Sequence, residues 1–516
     1  MKSVAFHNLG CKVNSYETDV MQQKLLESGF CVVPFDKKAD VYVINTCTVT
    51  NIADRKSRQM LHRAKKLNPE ALVVAVGCYV ETDPEKVALD PAIDLAIGNN
   101  KKGEIAELIL TWMEQREERA GKEAGEQAHR TGDSQAGDGK ADASAAMDKT
   151  MCGATMEDLT HAPAYEEMRL TSPGHTRAYI KIQDGCNQFC SYCIIPYARG
   201  RIRSRKREDI LEEVRRLAEV GVREIVLTGI HISSFGLERG GPELAQLLEE
   251  LQEIRGIGRI RLGSLEPRIV TEEFAARIAA LSKVCPHFHL SLQSGCDETL
   301  CRMNRRYTTR EYAQSVERLR RYFRNPAICT DIIVGFPQET EEEFAETMAF
   351  VEEIRFYEIH VFKYSVRRGT AAARMAGQIP EAVKAQRSDR LLAVTARQAA
   401  EYRAQFVGKR EELLLEEEIE INGTRYLTGH TTRYVQGVIG LGSGPDGQPA
   451  AQADRHGAAG AADAAQNQAD AAQVAGTAAA EPSCPGQLVQ GVFGAPVEGT
   501  EYLRFEEEAG DCNMSV

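Results

Sequence analysis

The chain has 516 residues, of which 43% are hydrophobic, and a formal net charge of −12. That length predicts about two to four domains with apolar cores, and no apolar run reaches the roughly 18 residues of a membrane-spanning helix. The start, Met1–His7, is typical of a first strand rather than a secretion signal. The acidic total argues against a uniformly basic nucleic-acid binder, although binding follows local charge. We therefore expect a cytoplasmic protein without membrane contact, whose fourteen cysteines indicate metal binding more than disulfides.

Residues 1–114 alternate short apolar runs with helical patterns. Helical spacing is present in Tyr16–Leu26 and Ala53–Lys66, so the region predicts a mostly parallel, doubly wound α/β sheet. Residues 115–170, rich in Glu, Ala, Gly and Ser, predict a disordered linker or insertion. The predicted strands of the sheet are Val4–His7, Val41–Asn45, Leu72–Val76 and Leu95–Ile97.

Residues 171–405 contain six further strand-like runs, each separated from the next by a helical pattern. Six β/α units predict an open, partial barrel whose active site lies at the C-terminal ends of the strands. A long helix, about Glu381–Tyr402, closes this region. The predicted strands are Ala178–Ile182, Glu224–Leu227, Arg259–Leu262, His287–Leu292, Ile328–Val334 and Glu358–Phe362.

Residues 406–508 predict a small antiparallel β-barrel. They are interrupted by an Ala-, Gly-, Gln- and Asp-rich insertion at about 442–483, whose composition cannot build a core. Small barrels of this kind often bind nucleic acid, although many do not. The predicted strands are Glu411–Leu415, Thr424–His430, Tyr434–Val438, Gly486–Val492 and Glu501–Phe505.

Three cysteines with C-x₃-C-x₂-C spacing follow the first predicted strand of the central region: Cys186, Cys190 and Cys193. Three thiolates on one loop can hold three irons of a 4Fe-4S cluster and leave the fourth iron open to a small molecule. Structural zinc sites usually have four ligands in two pairs. No fourth cysteine or histidine lies nearby in the sequence, so the spacing favours the cluster.

A second set of three cysteines occupies equivalent positions in the first region. Cys11, Cys47 and Cys78 each follow a predicted strand, and the carboxyl ends of parallel strands meet at one edge of a sheet. Gly10 and Gly77 would let the backbone pass close to a bulky group. Three separately buried thiols are the alternative, but the shared position favours a second three-thiolate site.

A basic run follows the central motif, with six positive charges among the nine residues from Arg199 to Arg207. Contact with phosphate is one interpretation, because arginine matches phosphate geometry. The other is a solvated approach to a helix, balanced by Glu208 and Asp209. Charge alone does not decide between them.

Polar residues and glycines follow the later strands of the barrel, at positions that face its mouth. They are candidates for binding the ribose, amino acid and base portions of a small molecule. A turn is an equal alternative for the glycines, and a structural hydrogen bond is the favoured alternative for His231. The candidates are Gly229, His231, Ser264, Glu266, Gln293 and Gly335.

With both sets of cysteines in view, the chain resembles the radical S-adenosylmethionine methylthiotransferases. Cys186, Cys190 and Cys193 match the radical-cluster motif of that family, and Cys11, Cys47 and Cys78 match the cysteines of its N-terminal domain. The C-terminal barrel is similar to the TRAM domain, which binds RNA in this family. The resemblance covers the sequence outside the two low-complexity segments.

Three blocks most resemble the branch that acts on N6-threonylcarbamoyladenosine in tRNA: Leu9–Thr18, Asn45–Asn51 and Leu227–His231. The resemblance implies two 4Fe-4S clusters, S-adenosyl-L-methionine, the tRNA anticodon loop as partner, and an electron donor such as flavodoxin or ferredoxin. One cluster would generate a 5′-deoxyadenosyl radical. The other, on Cys11, Cys47 and Cys78, would carry the sulfur that joins C2 of the adenosine.

Two alternatives remain open at this point. The same chemistry acts on isopentenyladenosine tRNA or on an aspartate of a ribosomal protein in other branches of the family. A protein of another class, a non-catalytic iron–sulfur sensor that binds RNA, would also carry cysteine clusters. The sensor predicts RNA binding without cleavage of S-adenosylmethionine.

Overall fold

The computed structural model describes residues 1–130, 153–155, 157–159, 164–172, 174, 176–441 and 484–508. The predicted insertion at 442–483, Cys152 and Cys512 lie outside these residues. The described residues form two compact units. The first contains Met1–Tyr402 and Thr432–Tyr434, and the second contains Arg403–Thr431 and the described residues from Val435 onward.

The N-terminal part of the first unit is built on a parallel sheet, as predicted. Its strands pair in the order β2-β1-β3-β4-β5-β6, and every pairing is parallel. The two central strands are fully buried, which is typical of a parallel sheet covered on both faces. The strands are β1 Ser3–Asn8, β2 Cys31–Val32, β3 Val41–Thr46, β4 Leu72–Gly77, β5 Leu95–Ile97 and β6 Gly153–Thr155.

The helices of this part include one that continues well past the predicted end of the domain. Residues 115–130, predicted to be disordered, prolong the last helix, because Glu, Ala, Lys and Arg are good helix formers. The same predicted linker contributes β6 to the sheet and the core residues Met168 and Leu170. The helices are α1 Lys12–Glu27, α2 Asn51–Leu67, α3 Cys78–Thr82, α4 Pro84–Leu89 and α5 Ile105–Arg130.

The central part of the first unit is the predicted open barrel. Six parallel strands follow one another in the order β7-β9-β10 and β11-β12-β13, and isolated bridges such as Leu265–Leu290 join the two sets. A short edge strand, β8, pairs antiparallel with β7. The strands are β7 Arg177–Asp184, β8 Arg203–Ser204, β9 Glu224–Gly229, β10 Arg259–Leu262, β11 His287–His289, β12 Ala327–Val334 and β13 Glu358–Lys363.

Helices between these strands bury their apolar faces on the barrel. Two of them, α11 and α12 below, begin with a capping box, which satisfies backbone donors at their first turn. No helix among the described residues is both long and apolar enough to span a bilayer. The helices are α6 Ile195–Arg199, α7 Arg207–Glu219, α8 Leu244–Gln252, α9 Glu272–Ala279, α10 Asp297–Arg302, α11 Thr309–Tyr322, α12 Glu341–Ile354 and α13 Glu381–Ala404.

The second unit contains a small closed barrel, as predicted. Its strands pair in the order β14-β15-β16-β18-β17, with antiparallel pairings except between β16 and β18. Leu413, Leu415 and Phe493 fill the interior. The strands are β14 Arg410–Ile421, β15 Thr424–His430, β16 Gln436–Gly440, β17 Leu488–Pro496 and β18 Leu503–Glu507.

Candidate functional site

The first three-cysteine set lies at one edge of the N-terminal sheet. Cys11 precedes α1, Cys47 follows β3 and Cys78 begins α3, so each lies at the carboxyl end of β1, β3 or β4. These strands are neighbours in the sheet. The structure therefore brings Cys11, Cys47 and Cys78 to one place, as the strand pattern predicted; we call them the N-terminal triad.

Two glycines allow this convergence. Gly10 has φ +111°, and a Cβ there would lie 2.9 Å from Cys47 Cβ and 3.0 Å from Cys47 Sγ. Gly77 has φ +97°, and a Cβ there would lie 2.8 Å from Asn45 Oδ1. Any other residue would be strained at both positions and would collide with the triad or with the strand beside it.

The thiols of the N-terminal triad are close enough to raise one another's pKa. Burial, together with the Cys78 and Cys11 thiols, raises the pKa of Cys47 to about 12. Burial also raises the pKa of Cys11, against the opposing effect of Arg199. Because thiolates are the metal-binding form, loading this site with metal must release protons.

A buried guanidinium contacts the N-terminal triad from the barrel side. Arg199 Nε donates a hydrogen bond to Cys78 Sγ at 3.3 Å, and its terminal nitrogens donate to Glu17 Oε1 at 2.8 Å and Asn14 Oδ1 at 2.7 Å. The Arg199 side chain is fully buried. Since Arg199 ends α6, the helix that follows Cys193 in the chain, the segment after the second cysteine motif reaches the N-terminal triad.

Further buried charges surround this contact. Glu17 also pairs with Lys181 at 2.7 Å and with Lys102, and Asp184 pairs with Lys181 at 2.6 Å and with Arg199 at 3.2 Å. Burial opposes ionisation of Glu17, but Arg199 and the two lysines hold its pKa well below its usual range. This buried charge cluster, Glu17, Lys102, Lys181, Asp184 and Arg199, has two acids and three bases, and its excess positive charge offsets negative thiolates nearby.

The second three-cysteine set lies on the loop between β7 and α6, and we call Cys186, Cys190 and Cys193 the loop triad. Backbone hydrogen bonds fix the loop, from Cys186 N to Gly200 O at 3.0 Å and from Cys193 N to Cys190 O at 3.0 Å. Gly185, just before it, has φ +69°, and a Cβ there would lie 1.8 Å from Arg201 O. The loop conformation therefore requires glycine at position 185.

The cysteines of the loop triad are half-buried, and one cation faces them. Burial, with its neighbouring thiols, raises the pKa of Cys193 to about 12, and burial raises the pKa of Cys186 to about 11. Arg305 Nη1 donates to Cys190 Sγ at 3.3 Å and Nε donates to Tyr307 Oη at 2.9 Å. Arg305 is thus a charged hydrogen-bond donor to one of the three thiols of the loop triad.

The residues of both triads fit an iron–sulfur cluster better than a single ion. A zinc ion with bonds of about 2.3 Å holds sulfur atoms about 3.8 Å apart. Among the described residues, the groups whose ligand atoms all lie within 4.8 Å of one another include neither triad. Three thiols that converge at wider spacing, in the presence of buried cations, suit a 4Fe-4S cluster with one iron not bound by cysteine.

The six residues predicted to face the mouth of the barrel fall into two groups, glycines required by packing and polar side chains. Gly229 and Gly335 have packing reasons to be glycine, because a Cβ would lie 2.9 Å from Gln183 O or 2.3 Å from Lys384 Cγ. Ser264 is exposed after β10, and Gln293 adopts φ +72° after β11. Gly229 is the last residue of β9, and Ser264, Gln293 and Gly335 follow β10, β11 and β12 in the chain. Packing accounts for the two glycines.

His231 and Glu266 are the titratable mouth candidates. Burial and Arg305 lower the pKa of His231 to about 4, so the ring is neutral near pH 7. Its Nδ1 shares a hydrogen bond with Ser234 Oγ, while its buried Nε2 has no partner among the described residues. Burial raises the pKa of Glu266, against the effect of Arg305. His231 is therefore held in place by Ser234, with one nitrogen left for a ligand.

The basic run is mostly not a phosphate-binding surface. Arg199, Arg203 and Arg205 are buried, and Arg205 pairs with the buried Glu213. Only Arg201 and Lys206 of the run are classed as exposed. The phosphate interpretation is wrong for the three buried arginines, because their charges face the interior. Arg199 pairs with Glu17 and Asp184, Arg205 pairs with Glu213, and Arg203 donates to the carbonyl oxygens of Arg199 and Arg201.

Sequence patterns did not reveal Glu17, Lys102, Lys181 and Arg305 as parts of these sites. Each lies in an ordinary helix, strand or loop, and its charge alone indicates a solvated residue. The one available signal was position: Glu17 lies six residues after Cys11, on the first turns of the helix that Cys11 begins.

Comparison with known proteins supports this description. Residues 180–351 match the Radical SAM superfamily, and residues 3–98 match the Uncharacterized protein family UPF0004. The threonylcarbamoyladenosine tRNA methylthiotransferase MtaB of Bacillus subtilis (strain 168) is 38% identical over 85% of this chain and 90% of its own length. MtaB of Aquifex aeolicus (strain VF5) is 37% identical over 82% and 95%. The tRNA-2-methylthio-N(6)-dimethylallyladenosine synthase of Syntrophus aciditrophicus (strain SB) is 33% identical over 84% and 87%.

The barrel, its cysteine loop and the superfamily match define an enzyme of the radical S-adenosylmethionine class, with S-adenosyl-L-methionine and 4Fe-4S clusters as cofactors. The chain belongs to the radical S-adenosylmethionine methylthiotransferase family. The family resemblance stated from the cysteine motifs is thus confirmed.

Proposed function

We propose that this enzyme methylthiolates C2 of N6-threonylcarbamoyladenosine next to the anticodon of tRNA. The observation that carries the choice of substrate is the identity of 38% and 37% to two proteins named for that reaction, against 32–33% for the dimethylallyladenosine synthases. Two further proteins named for that reaction share 34% and 32%. The aromatic C2–H bond has no acidic proton and no leaving group. Radical chemistry supplied by a cofactor is therefore suited to it.

In this proposal, Cys186, Cys190 and Cys193 hold the radical-generating cluster, and Cys11, Cys47 and Cys78 hold the auxiliary cluster. When bound, these groups and S-adenosylmethionine supply the radical, the sulfur and the methyl group. Arg305 and Arg199 donate hydrogen bonds to one thiolate of each triad. His231 is neutral and offers its free nitrogen at the barrel mouth.

The proposed partners are a tRNA anticodon loop, whose bases are accessible to protein, and a small electron-transfer protein such as flavodoxin or ferredoxin. The site of action would be the cytoplasm, where such tRNA is found. The described residues of the second unit contain eleven acidic and five basic side chains, counted as Asp and Glu against Lys and Arg. A TRAM-like role for that barrel therefore relies on something other than a high density of positive charge.

The test is the nucleoside composition of tRNA from a strain that lacks the gene. We expect mass spectrometry to show loss of the methylthio form of N6-threonylcarbamoyladenosine and accumulation of its unmodified form. The wild-type gene should restore the methylthio form. Cys190→Ala should not restore it, whereas Cys301→Ala, which changes an exposed cysteine outside both triads, should.

Other results would select the alternatives. Unchanged methylthio-threonylcarbamoyladenosine with loss of methylthio-isopentenyladenosine would show that the substrate is isopentenyladenosine tRNA. Normal tRNA with an unmodified ribosomal aspartate would indicate the ribosomal-protein branch. Restoration by Cys190→Ala would favour a sensor without catalysis.

A further inference from the structure

Helix α2 presents an unusual concentration of unpaired positive charge. Five of its side chains are exposed cations, and the ion pairs found among the described residues involve none of them. Lys65, by contrast, pairs with Asp94 at 2.6 Å and is only partly exposed. We call the five residues the α2 basic face: Arg55, Lys56, Arg58, Arg63 and Lys66.

The α2 basic face contains no negative charge. Asp54 is the one acidic residue of the helix, and it pairs with Arg367 Nη1 at 2.6 Å, leaving 13% of its side chain exposed. Arg367 also donates to Asn51 Oδ1 at 2.9 Å and to Thr48 Oγ1 at 2.5 Å. The single carboxylate of the helix therefore fixes the start of α2. On the outward side, His62 pairs with Asp90 at 3.0 Å, and the ion pairs of the described residues leave the five cations of the α2 basic face unneutralised.

In the chain, two exposed apolar residues lie between Cys47 of the N-terminal triad and the α2 basic face. Val49 is 51% exposed and Ile52 is 55% exposed, and both follow Cys47 closely in the chain. Because both side chains are apolar and open to solvent, they are available for contact with the base or ribose of a bound nucleotide. We call Val49 and Ile52 the apolar lip.

The dimensions suit a nucleic-acid strand. From Arg55 to Lys66 the helix rises about 16 Å, at about 1.5 Å per residue, so several successive phosphates can lie along it. The chain as a whole carries a net charge of −12. A local basic stripe on an acidic protein directs a polyanion to one place and repels it elsewhere.

Resting on the proposed function, we infer that the α2 basic face is the surface that binds the phosphates of the substrate tRNA, and that the apolar lip contacts the anticodon loop beside the N-terminal triad. Phosphate contacts of this kind fix position and are independent of sequence. They would hold modified and unmodified tRNA equally well. Selection of the modified base would then belong to the barrel mouth.

The test compares two triple variants of the full-length protein in tRNA binding at several salt concentrations. One carries Arg55→Gln, Arg58→Gln and Arg63→Gln. The control carries Arg215→Gln, Arg255→Gln and Arg310→Gln, which remove three exposed arginines elsewhere and change the net charge equally. Iron content and circular dichroism establish that both remain folded and loaded.

We expect the α2 variant to bind tRNA more weakly and to flatten the slope of log K against log salt by roughly two, since each phosphate contact contributes about 0.7. The loss should be equal for tRNA with and without the threonylcarbamoyl group. The control should keep the wild-type slope. An unchanged slope in the α2 variant, or an equal change in both variants, would overturn the inference.

A photocrosslinking measurement examines the apolar lip. A benzophenone amino acid at Ile52 should crosslink to the anticodon loop, and one at the exposed Leu89 should not. Crosslinks from both positions, or from neither, contradict the assignment.

The two proposals can fail separately. If wild-type protein modifies tRNA but the salt slope of the α2 variant is unchanged, only this inference fails. If nucleoside analysis of the deletion strain shows no tRNA defect, the proposed function fails. Binding of the basic face to anionic lipid vesicles without any effect on tRNA binding would likewise reject it.

Discussion

Arg199 occupies an uncommon position for a charged residue. Its guanidinium is fully buried, and it joins Cys78 of the N-terminal triad to Glu17 and Asp184. A hydrogen bond from a cation to a cluster thiolate stabilises the more negative, reduced state of that cluster. If Cys78 holds the auxiliary cluster, as proposed, Arg199 would position and tune that cluster without touching the substrate.

We expect Arg199→Met to lower the reduction potential of the auxiliary cluster, because a buried positive charge beside a ligand sulfur is lost. It should also lower the free energy of unfolding of the cluster-free protein by about 3–5 kcal/mol, the usual effect of breaking a buried ion pair. A redox titration followed by electron paramagnetic resonance measures the first effect, and urea unfolding measures the second.

The matched control for Arg199 is Arg201→Met, since Arg201 is exposed in the same basic run. It should change neither quantity appreciably. The double variant Arg199→Met with Glu17→Gln should be less destabilised than the two single effects added together, because the residues contact each other. An auxiliary potential equal to that of wild type in Arg199→Met would contradict the tuning role.

At the scale of residues, the sequence predicted that the strand-end cysteines meet at one edge of the sheet. It did not predict the charged side chains that surround them. The strand-end positions of Cys11, Cys47 and Cys78 follow from local pattern, because strands are recognisable within a few residues. The partner of Arg199 at Glu17 lies 182 residues away in sequence. A charge pattern read along the chain contains no information about such a partner, so the basic run was assigned partly to phosphate.

Among the elements, the segment from the loop triad through α6 is flanked by two glycines with positive φ. Gly185 and Gly200 both have positive φ, at +69° and +70°. A Cβ at Gly200 would lie 2.2 Å from Leu159 O. Since Cys186 N bonds to Gly200 O, Gly185 before the loop triad and Gly200 after α6 together fix the segment that carries the loop triad.

Gly185→Ala should therefore prevent correct formation of this loop. A Cβ 1.8 Å from Arg201 O must displace the backbone, so we expect the protein to lose the iron of the loop triad while the N-terminal triad keeps its own. Gly221→Ala is the control: it also has positive φ, +90°, but its Cβ would meet nothing within 4 Å. That variant should lose only about 1 kcal/mol of stability and retain its full iron content. Full iron in Gly185→Ala would show that the loop tolerates rearrangement.

The long elements were predictable and the short edge strands were not. The predicted strands of the N-terminal sheet are all present, because buried parallel strands are continuous apolar runs. Strands β2, β6 and β8 have only two or three residues each, too few to show any periodicity. The helical extension to Arg130 was missed because a polar helix has no apolar stripe, although its composition favours helix.

In the whole molecule, the two triads belong to separate sheets and should load separately. Fully loaded protein should contain about eight irons, four for each cluster. Replacing Cys11, Cys47 and Cys78 together by Ala should leave about half of that iron. Replacing Cys31, Cys285 and Cys301, which lie outside both triads, should leave all of it. Loss of all iron from the first variant would contradict independent sites.

The buried charge cluster also limits how the first unit can move. Glu17 belongs to the N-terminal sheet region, whereas Lys181, Asp184 and Arg199 belong to the barrel region. Opening a hinge between these regions would leave buried charges without partners, at a cost of several kcal/mol for each ion. The distance between the two cysteine sites is consequently set when the protein folds. Under the proposed function, the target nucleotide would therefore have to leave the stack of its own loop to reach a preorganised site.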